Sequence, residues 1–394
     1  MPLPLSYIED GSRPAFRSSA CGLGESVGAG IVDTQLTLFD LGWPYEARDS
    51  LAERTRRAAR ARRRAVALSM NSNNRIVGLS RRRLIRGYGL DDYLTDLQEL
   101  TAEPGTTVDS VLVAAPTRDG LTDPDTASFV MWVESLGFGA AGAPSLLGVI
   151  AHADPRDDGF GPAIDTALMT TSSLRGIRMG CAWHPDPKVT RFASRPKILL
   201  SPDFLRSFAA VAERDLLFEV PLYSHQLRDM LAPVREYPES TFVLEYAALA
   251  PGLFGPVGER TGVTAAARAE LLRRWREDMA ALAHHPNVMV KLAGLAHPLL
   301  GYGPERRGNI GSQETLAEMI GPLIDFLLLH FGPRRLMFAT GFPIDRANAT
   351  VPMLAGAVYD TLQPRGESVL RKVFRDNALS LYSHADGSKT AAQG

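Results

Sequence analysis

The chain has 394 residues, 45% of them hydrophobic and 22% charged, with a formal net charge of −1; this suits one large α/β domain or two ordinary ones. The near-zero charge excludes a global preference for nucleic acid or an anionic membrane, and no apolar run approaches the ~20 residues of a bilayer span. Cys21 and Cys181 make no disulfide framework, and MPLPLSYIEDGSRP lacks the regions of a secretory signal, so a soluble, cytoplasmic protein is expected.

In chain order, residues 1–29 are rich in Gly, Pro and Ser and read as an irregular arm. Short β-branched runs then alternate with longer helical patterns, the signature of βα units around a parallel sheet. The expected strands are Ile31–Thr34, Ser110–Ala114, Leu147–Ala151, Gly176–Met179, Leu217–Val220, Thr241–Leu244, Val288–Leu292 and Leu336–Ala339. Eight is the number that closes a (β/α)8 TIM barrel, here expected over residues 30–383. Helical spacing of Phe204, Leu205, Phe208 and Val211 predicts a helix over Ser201–Arg214, and similar patterns cover Ala265–His284 and Leu316–His330.

The connection after the first strand, about residues 38–107, carries an arginine-dense run from Arg54 to Arg64 and a second cluster at Arg81–Arg83 with Arg86. Leaving the C-terminal face of a barrel, it suits a lid or a cationic rim for an anionic or carrier-bound substrate; a solvated helix is the plainer reading. No aromatic residues interleave with these arginines, which argues against nucleic acid as a partner. Gly137-Phe-Gly139-Ala-Ala-Gly142 fits a dinucleotide fingerprint but follows a helical pattern, Ser128–Leu136, and reads as a loop. No G-x-S-x-G elbow occurs, and nothing marks Cys181 as an activated nucleophile. The tail, 384–394, is small and polar, and reads as frayed. A homo-oligomer is left open.

Several segments, in order, resemble the amidohydrolase-related family of lactonases, decarboxylases and other metal-dependent hydrolases. Ile31-Val-Asp33-Thr-Gln35-Leu-Thr37 stands where that family has Asp-x-His-x-His on its first strand. Leu174-Arg175-Gly-Ile-Arg178 is similar to its fourth-strand Arg-Gly-x-Arg, and Phe242-Val-Leu-Glu245-Tyr246-Ala to its sixth-strand Val-Leu-Asp-His-x-Gly. Asn287-Val-Met-Val-Lys291-Leu-Ala-Gly294-Leu resembles its Asn-Val-x-x-Lys-Leu-Ser-Gly-Leu, and Arg335-Leu-Met-Phe-Ala-Thr340-Gly341-Phe-Pro its Arg-Leu-Met-Phe-Gly-Ser-Asp-Trp-Pro. Phe374-Arg-Asp-Asn377-Ala-Leu-Ser-Leu-Tyr382 is similar to its closing helix.

The departures matter more. In hydrolytic members, two first-strand histidines, a further histidine and an eighth-strand aspartate hold the metal or activate water. The matching positions here are Gln35, Thr37, Tyr246 and Gly341. An amide, a hydroxyl, a phenol and no side chain make a poor donor set, and a catalytic zinc needs about three protein ligands. The expectation is chemistry without a bound metal or other cofactor.

Candidates for metal-free acid/base work follow the strands. His225 is the best general base by type and place; Arg178 can polarise a carbonyl or bind a carboxylate; Tyr246 can donate to an oxyanion; Lys291 adds positive charge. Gln35, Thr37, His152, His184, Tyr223, Glu245 and Asp345 are expected to line the substrate pocket, with His297 a further histidine on that face. His284, His285 and His330 fall at helix ends. Plainer roles exist too: Arg178 and Lys291 as wall ion pairs, Tyr246 and Gln35 as plugs. The reading favoured is an enzyme hydrolysing a small, oxygenated, anionic lactone, ester or amide. Two rivals stand beside it: a repurposed cyclase, lyase or isomerase of a biosynthetic pathway, and a silent binding protein, favoured if Phe342, Tyr246 and Trp43 fill the pocket.

Overall fold

The computed structural model describes residues 23–27, 30–38, 87–102, 106–114, 126–303 and 310–383. Most of the arm, the arginine clusters, Trp43 and the tail therefore lie outside the described residues.

Eight strands form one parallel sheet in sequential order: β1 (Ile31–Leu36), β2 (Val108–Ala114), β3 (Ser145–His152), β4 (Leu174–Arg178), β5 (Leu217–Pro221), β6 (Phe242–Glu245), β7 (Val288–Leu292) and β8 (Leu336–Phe338). An isolated parallel bridge between Leu36 and Phe342 joins the ends of β1 and β8 and rounds the sheet into a (β/α)8 barrel. The described helices are α1 (Leu23–Val27), α2 (Leu90–Thr101), α3 (Thr126–Glu134), α4 (Phe160–Thr170), α5 (Pro202–Ser207), α6 (Ala209–Ala212), α7 (Leu227–Glu236), α8 (Ala265–Ala283), α9 (Gln313–Phe331), α10 (Val351–Leu362), α11 (Glu367–Arg371) and α12 (Asn377–Tyr382).

Strand alternation separates two cores. Outward side chains such as Phe218, Leu244, Val290 and Phe338 join the helices in the larger core. Inward ones, Val32, Leu112, Ile150, Val243 and Met337, pack with Ala378 and Tyr382 of α12 in a smaller core inside the barrel. Arg175, near the start of β4, donates from Nε to the Tyr382 carbonyl at 2.6 Å, so α12 closes the N-terminal end of the barrel.

The expected helix over Ser201–Arg214 is divided at Phe208 into α5 and α6. The backbone there stays helical (φ −62°, ψ −22°), but the Val211 N–H bonds the Phe208 carbonyl, a three-residue step. Phe208 is fully buried, stacked on Phe242 at 5.1 Å and edge-on to Phe218 at 5.2 Å, so the break sits where one ring wedges against β5 and β6. The 137–142 glycines form turns between α3 and β3, with Gly137, Gly139 and Gly142 at positive φ, as a loop requires. No described helix is long and apolar enough to cross a membrane.

Candidate active site

The C-terminal halves of the strands carry charge where the N-terminal halves carry hydrocarbon. Because outward Phe218, Leu244 and Val290 are apolar, alternation turns Glu219, Glu245 and Lys291 inward, and Arg178 ends β4 beside them. All four are buried, so their charges must be met inside the protein. The Lys291 ammonium donates to Glu219 Oε2 at 2.5 Å and to Gln35 Oε1 at 3.2 Å. Gln35 Nε2 donates to Glu245 Oε2 at 3.2 Å and reaches the Tyr246 hydroxyl at 3.5 Å. Arg178 forks onto Glu245, from Nε to Oε1 at 2.9 Å and from Nη2 to Oε2. The Tyr382 hydroxyl comes up from α12 and donates to Glu219 Oε1 at 2.6 Å. The result is a ring of two cations and two carboxylates stitched through one amide. Burial raises the Glu219 pKa, and the Lys291 ammonium opposes that rise.

Asp33 fixes this ring from behind. Its carboxylate accepts from Tyr93 Oη (2.8 Å), Thr340 N (2.9 Å), Thr340 Oγ1 (2.7 Å) and Gln35 N (3.1 Å), tying β1 to α2 and to the segment after β8. Glu219, Asp33, Tyr93 and Tyr382 escaped the reading of the sequence as site residues. Asp33 and Tyr382 lie inside quoted motifs, and inward parity on β5 was the signal available for Glu219.

After β6 the chain makes a left-handed turn without glycine: Tyr246, Ala247 and Ala248 have φ of 54°, 47° and 51°. Each such residue costs about 1–2 kcal/mol. Hydrogen bonds from Ala247 N to Lys291 O (3.1 Å) and from Trp275 Nε1 to Ala247 O (2.9 Å) hold it. The turn lays the half-buried Tyr246 ring on Gly294, where an added Cβ would lie 2.8 Å from Tyr246 Cδ1. Burial raises the phenol pKa, so it stays protonated and able to donate.

The loops after β4 and β5 gather a second group. Gln226 accepts from Trp183 N (2.9 Å) and Tyr223 N (3.3 Å) and donates to the Cys181 carbonyl (3.0 Å), which joins the two loops. His184 and His225 then meet edge to face at 5.1 Å. His184 Nδ1 accepts from the Asp186 N–H at 3.0 Å. Burial, then the neighbouring His225, lowers its pKa to about 4. His225 is exposed to solvent, yet the surrounding protein lowers its pKa as well. The Tyr223 hydroxyl donates to the Thr190 carbonyl at 2.6 Å and its ring backs both imidazoles, a buttress. Burial pushes the Cys181 thiol up, away from a reactive thiolate.

The remaining expected residues are placed as follows. His152 ends β3 opposite Arg178; burial and then that guanidinium lower its pKa to about 4. Thr37 follows β1 and donates its backbone N–H to Phe342 O at 2.9 Å. His297, after β7, is buried and lowered to about 3, with its ring 6.1 Å from Tyr246. Asp345, past β8, is fully buried; Oδ2 accepts the Ala296 N–H at 3.1 Å, and Oδ1 has no hydrogen-bond partner. His284 caps the end of α8 and His330 lies in the last turn of α9.

The four positions where the family's hydrolytic members hold metal do not fit one here. Both ends of the Gln35 amide are committed, one of them to an ammonium that would repel a cation. Thr37 and Tyr246 are weak donors, Gly341 has none, and no group of three His, Cys, Asp or Glu side chains among the described residues is arranged to hold a metal ion.

The family model for amidohydrolases matches residues 134–383. An uncharacterized protein of Sinorhizobium fredii is 26% identical over 235 residues, 60% of this chain and 69% of that one. The L-fucono-1,5-lactonase of Burkholderia multivorans is 28% identical over 156 residues, 40% of this chain and under half of the lactonase, at 47%. An amidohydrolase of Burkholderia multivorans, with bound zinc, shares the fold over 90% of this chain and 99% of its own, with a TM-score of 0.60 at 21% identity. A HEPES-bound crystal form of that protein gives a TM-score of 0.61 at the same identity and coverage.

Proposed function

The chain belongs to the amidohydrolase family, and from that premise we propose that it hydrolyses a small oxygenated lactone, or a related ester or amide, without a divalent metal. One observation carries the reading: the Glu219–Lys291–Gln35–Glu245–Arg178 ring occupies the barrel interior with its charges balanced, and it takes up both ends of the Gln35 amide, one of the four positions matched to the family's metal site. The partial likeness to a lactonase supports a cyclic ester as the first substrate to try. Arg178 is committed to Glu245 and does not serve to bind a substrate carboxylate.

Without a metal, a carbonyl must be activated by hydrogen-bond donors fixed in a dry site. Tyr246 is the donor nearest the ring, held by its strained turn. His225, neutral at physiological pH and exposed at the mouth, takes the proton of the attacking water. Gln35, held by Lys291 and Glu245, positions Tyr246, and the Tyr223 ring backs His225.

Purified protein assayed against L-fucono-1,5-lactone and simple lactones, with metal content measured, tests this. The expected result is turnover unchanged by exhaustive chelation, with one oxygen of H2-18O entering the product. Activity abolished by chelation and restored by zinc or manganese would overturn the metal-free reading. A converted substrate without water oxygen in the product would favour the lyase or isomerase alternative.

A further inference from the structure

Asp345 is the one described carboxyl that is fully buried and has an oxygen, Oδ1, without a hydrogen-bond partner. Buried polar atoms are nearly always satisfied, and an exception calls for a missing ligand atom or a functional role. Its position is specific. Gly341 has φ +66°, and a Cβ built there would sit 3.2 Å from Asp345 Cγ, 3.3 Å from Oδ1 and 3.2 Å from the Gly294 nitrogen. The carboxyl of Asp345 therefore stands in the volume a side chain at 341 would enter, beyond the C-terminal end of β8. The Gly341 N–H bonds the carbonyl of Gln35 at 3.1 Å, which sets this volume beside the charged ring. Tyr246 lies across Gly294 from it.

The geometry points to Asp345 as the site's proton donor, a carboxylic acid that has moved from position 341 to position 345 and delivers its Oδ1 proton to the oxygen leaving the acyl carbon. This rests on the hydrolase reading above. The groups facing Asp345 agree with it: Asp33 from β1 opposes a second negative charge, the Tyr246 phenol from β6 is neutral, and the β7 loop offers only backbone N–H groups. Burial, the largest cause, raises the Asp345 pKa well above its ordinary value, which favours the acid form. In the step, water oxygen bonds to the carbonyl carbon and its proton passes to His225. The acyl C–O bond then breaks, and the departing alkoxide takes the proton of Asp345. Lactone and water become the hydroxy acid, and the proton on His225 returns to Asp345 through solvent.

The test compares two probes on wild type and Asp345→Asn: L-fucono-1,5-lactone, whose alkoxide needs a proton to leave, and 4-nitrophenyl acetate, whose phenolate does not. The variant is expected to lose about a hundredfold or more on the lactone and about threefold or less on the nitrophenyl ester. The ratio of the two rates within one preparation cancels any unfolded fraction. Infrared spectroscopy at neutral pH is expected to show a protonated-carboxyl band in wild type that Asp345→Asn lacks. Equal losses on both probes, or a variant that keeps the band, would overturn the assignment. If wild type turns over neither probe, the hydrolase reading falls and the donor role with it, while the band still reports where the proton resides.

Discussion

Glu219, on the inner wall at β5, and Asp345, in the turn past β8, are both fully buried carboxyls, and burial pushes the pKa of each upward. Their surroundings differ. Glu219 receives an ammonium at 2.5 Å on one oxygen and a phenol at 2.6 Å on the other, so each oxygen is satisfied. Asp345 is met only by backbone N–H groups, those of Ala296 at 3.1 Å and of Gly294, and no side chain reaches its Oδ1. Burial alone therefore does not mark a working acid in this barrel; unmet hydrogen-bonding capacity does. The Glu219 region is built as a neutral strut, and the Asp345 region keeps an acid with one oxygen unspent.

Breaking the strut has the largest expected effect. Lys291→Met leaves the Glu219 charge buried without its cation and should cost about 3–5 kcal/mol in urea unfolding. Replacing Glu219 by Leu in the same chain should recover most of that loss, because the uncompensated charge leaves with it. A Lys291→Met protein as stable as wild type would mean that the pair is not a strut. Tyr382→Phe removes one hydrogen bond to the same carboxylate and should cost about 1.5–3 kcal/mol, read from the same unfolding curves.

Asp345→Asn sharpens the other side of the contrast. Folded Asp345 holds its proton to higher pH than the unfolded chain does. Its contribution is therefore complete below the ordinary carboxylate range and is lost as pH rises toward its folded value, by about 1.4 kcal/mol per pH unit for one proton. The variant should lack that decline and gain on wild type as pH rises above the ordinary carboxylate range, as thermal unfolding across pH would show. His184 gives the smallest and opposite effect. Its folded pKa, about 4, lies below its unfolded value, so its contribution is present above about 6.5 and lost as pH falls toward 4. In His184→Gln the acid limb of the stability profile should flatten, so that the variant gains on wild type as pH falls from about 6.5 toward 4.

Much of this frame was legible along the chain. All eight expected strands occur, within three residues at their ends, because hydrophobic alternation is a local property. The placing of His184, His225 and His297 beyond strand ends was readable for the same reason, while His152 proves to be the last residue of β3 rather than one beyond it. The division at Phe208 was not, since it comes from rings on β5 and β6 pressing on one helical residue.

By itself, the sequence determined the barrel and its family likeness; local periodicity and motif spacing carry both. Only the tertiary structure decided who partners whom. Lys291 meets Glu219 from 72 positions away, and Gln35 meets Lys291 across 256, because closing the sheet sets strands distant in sequence side by side across one interior. Asp345 gains its meaning the same way: a missing side chain at Gly341 and a carboxyl four residues later share one volume only once the turn after β8 is folded.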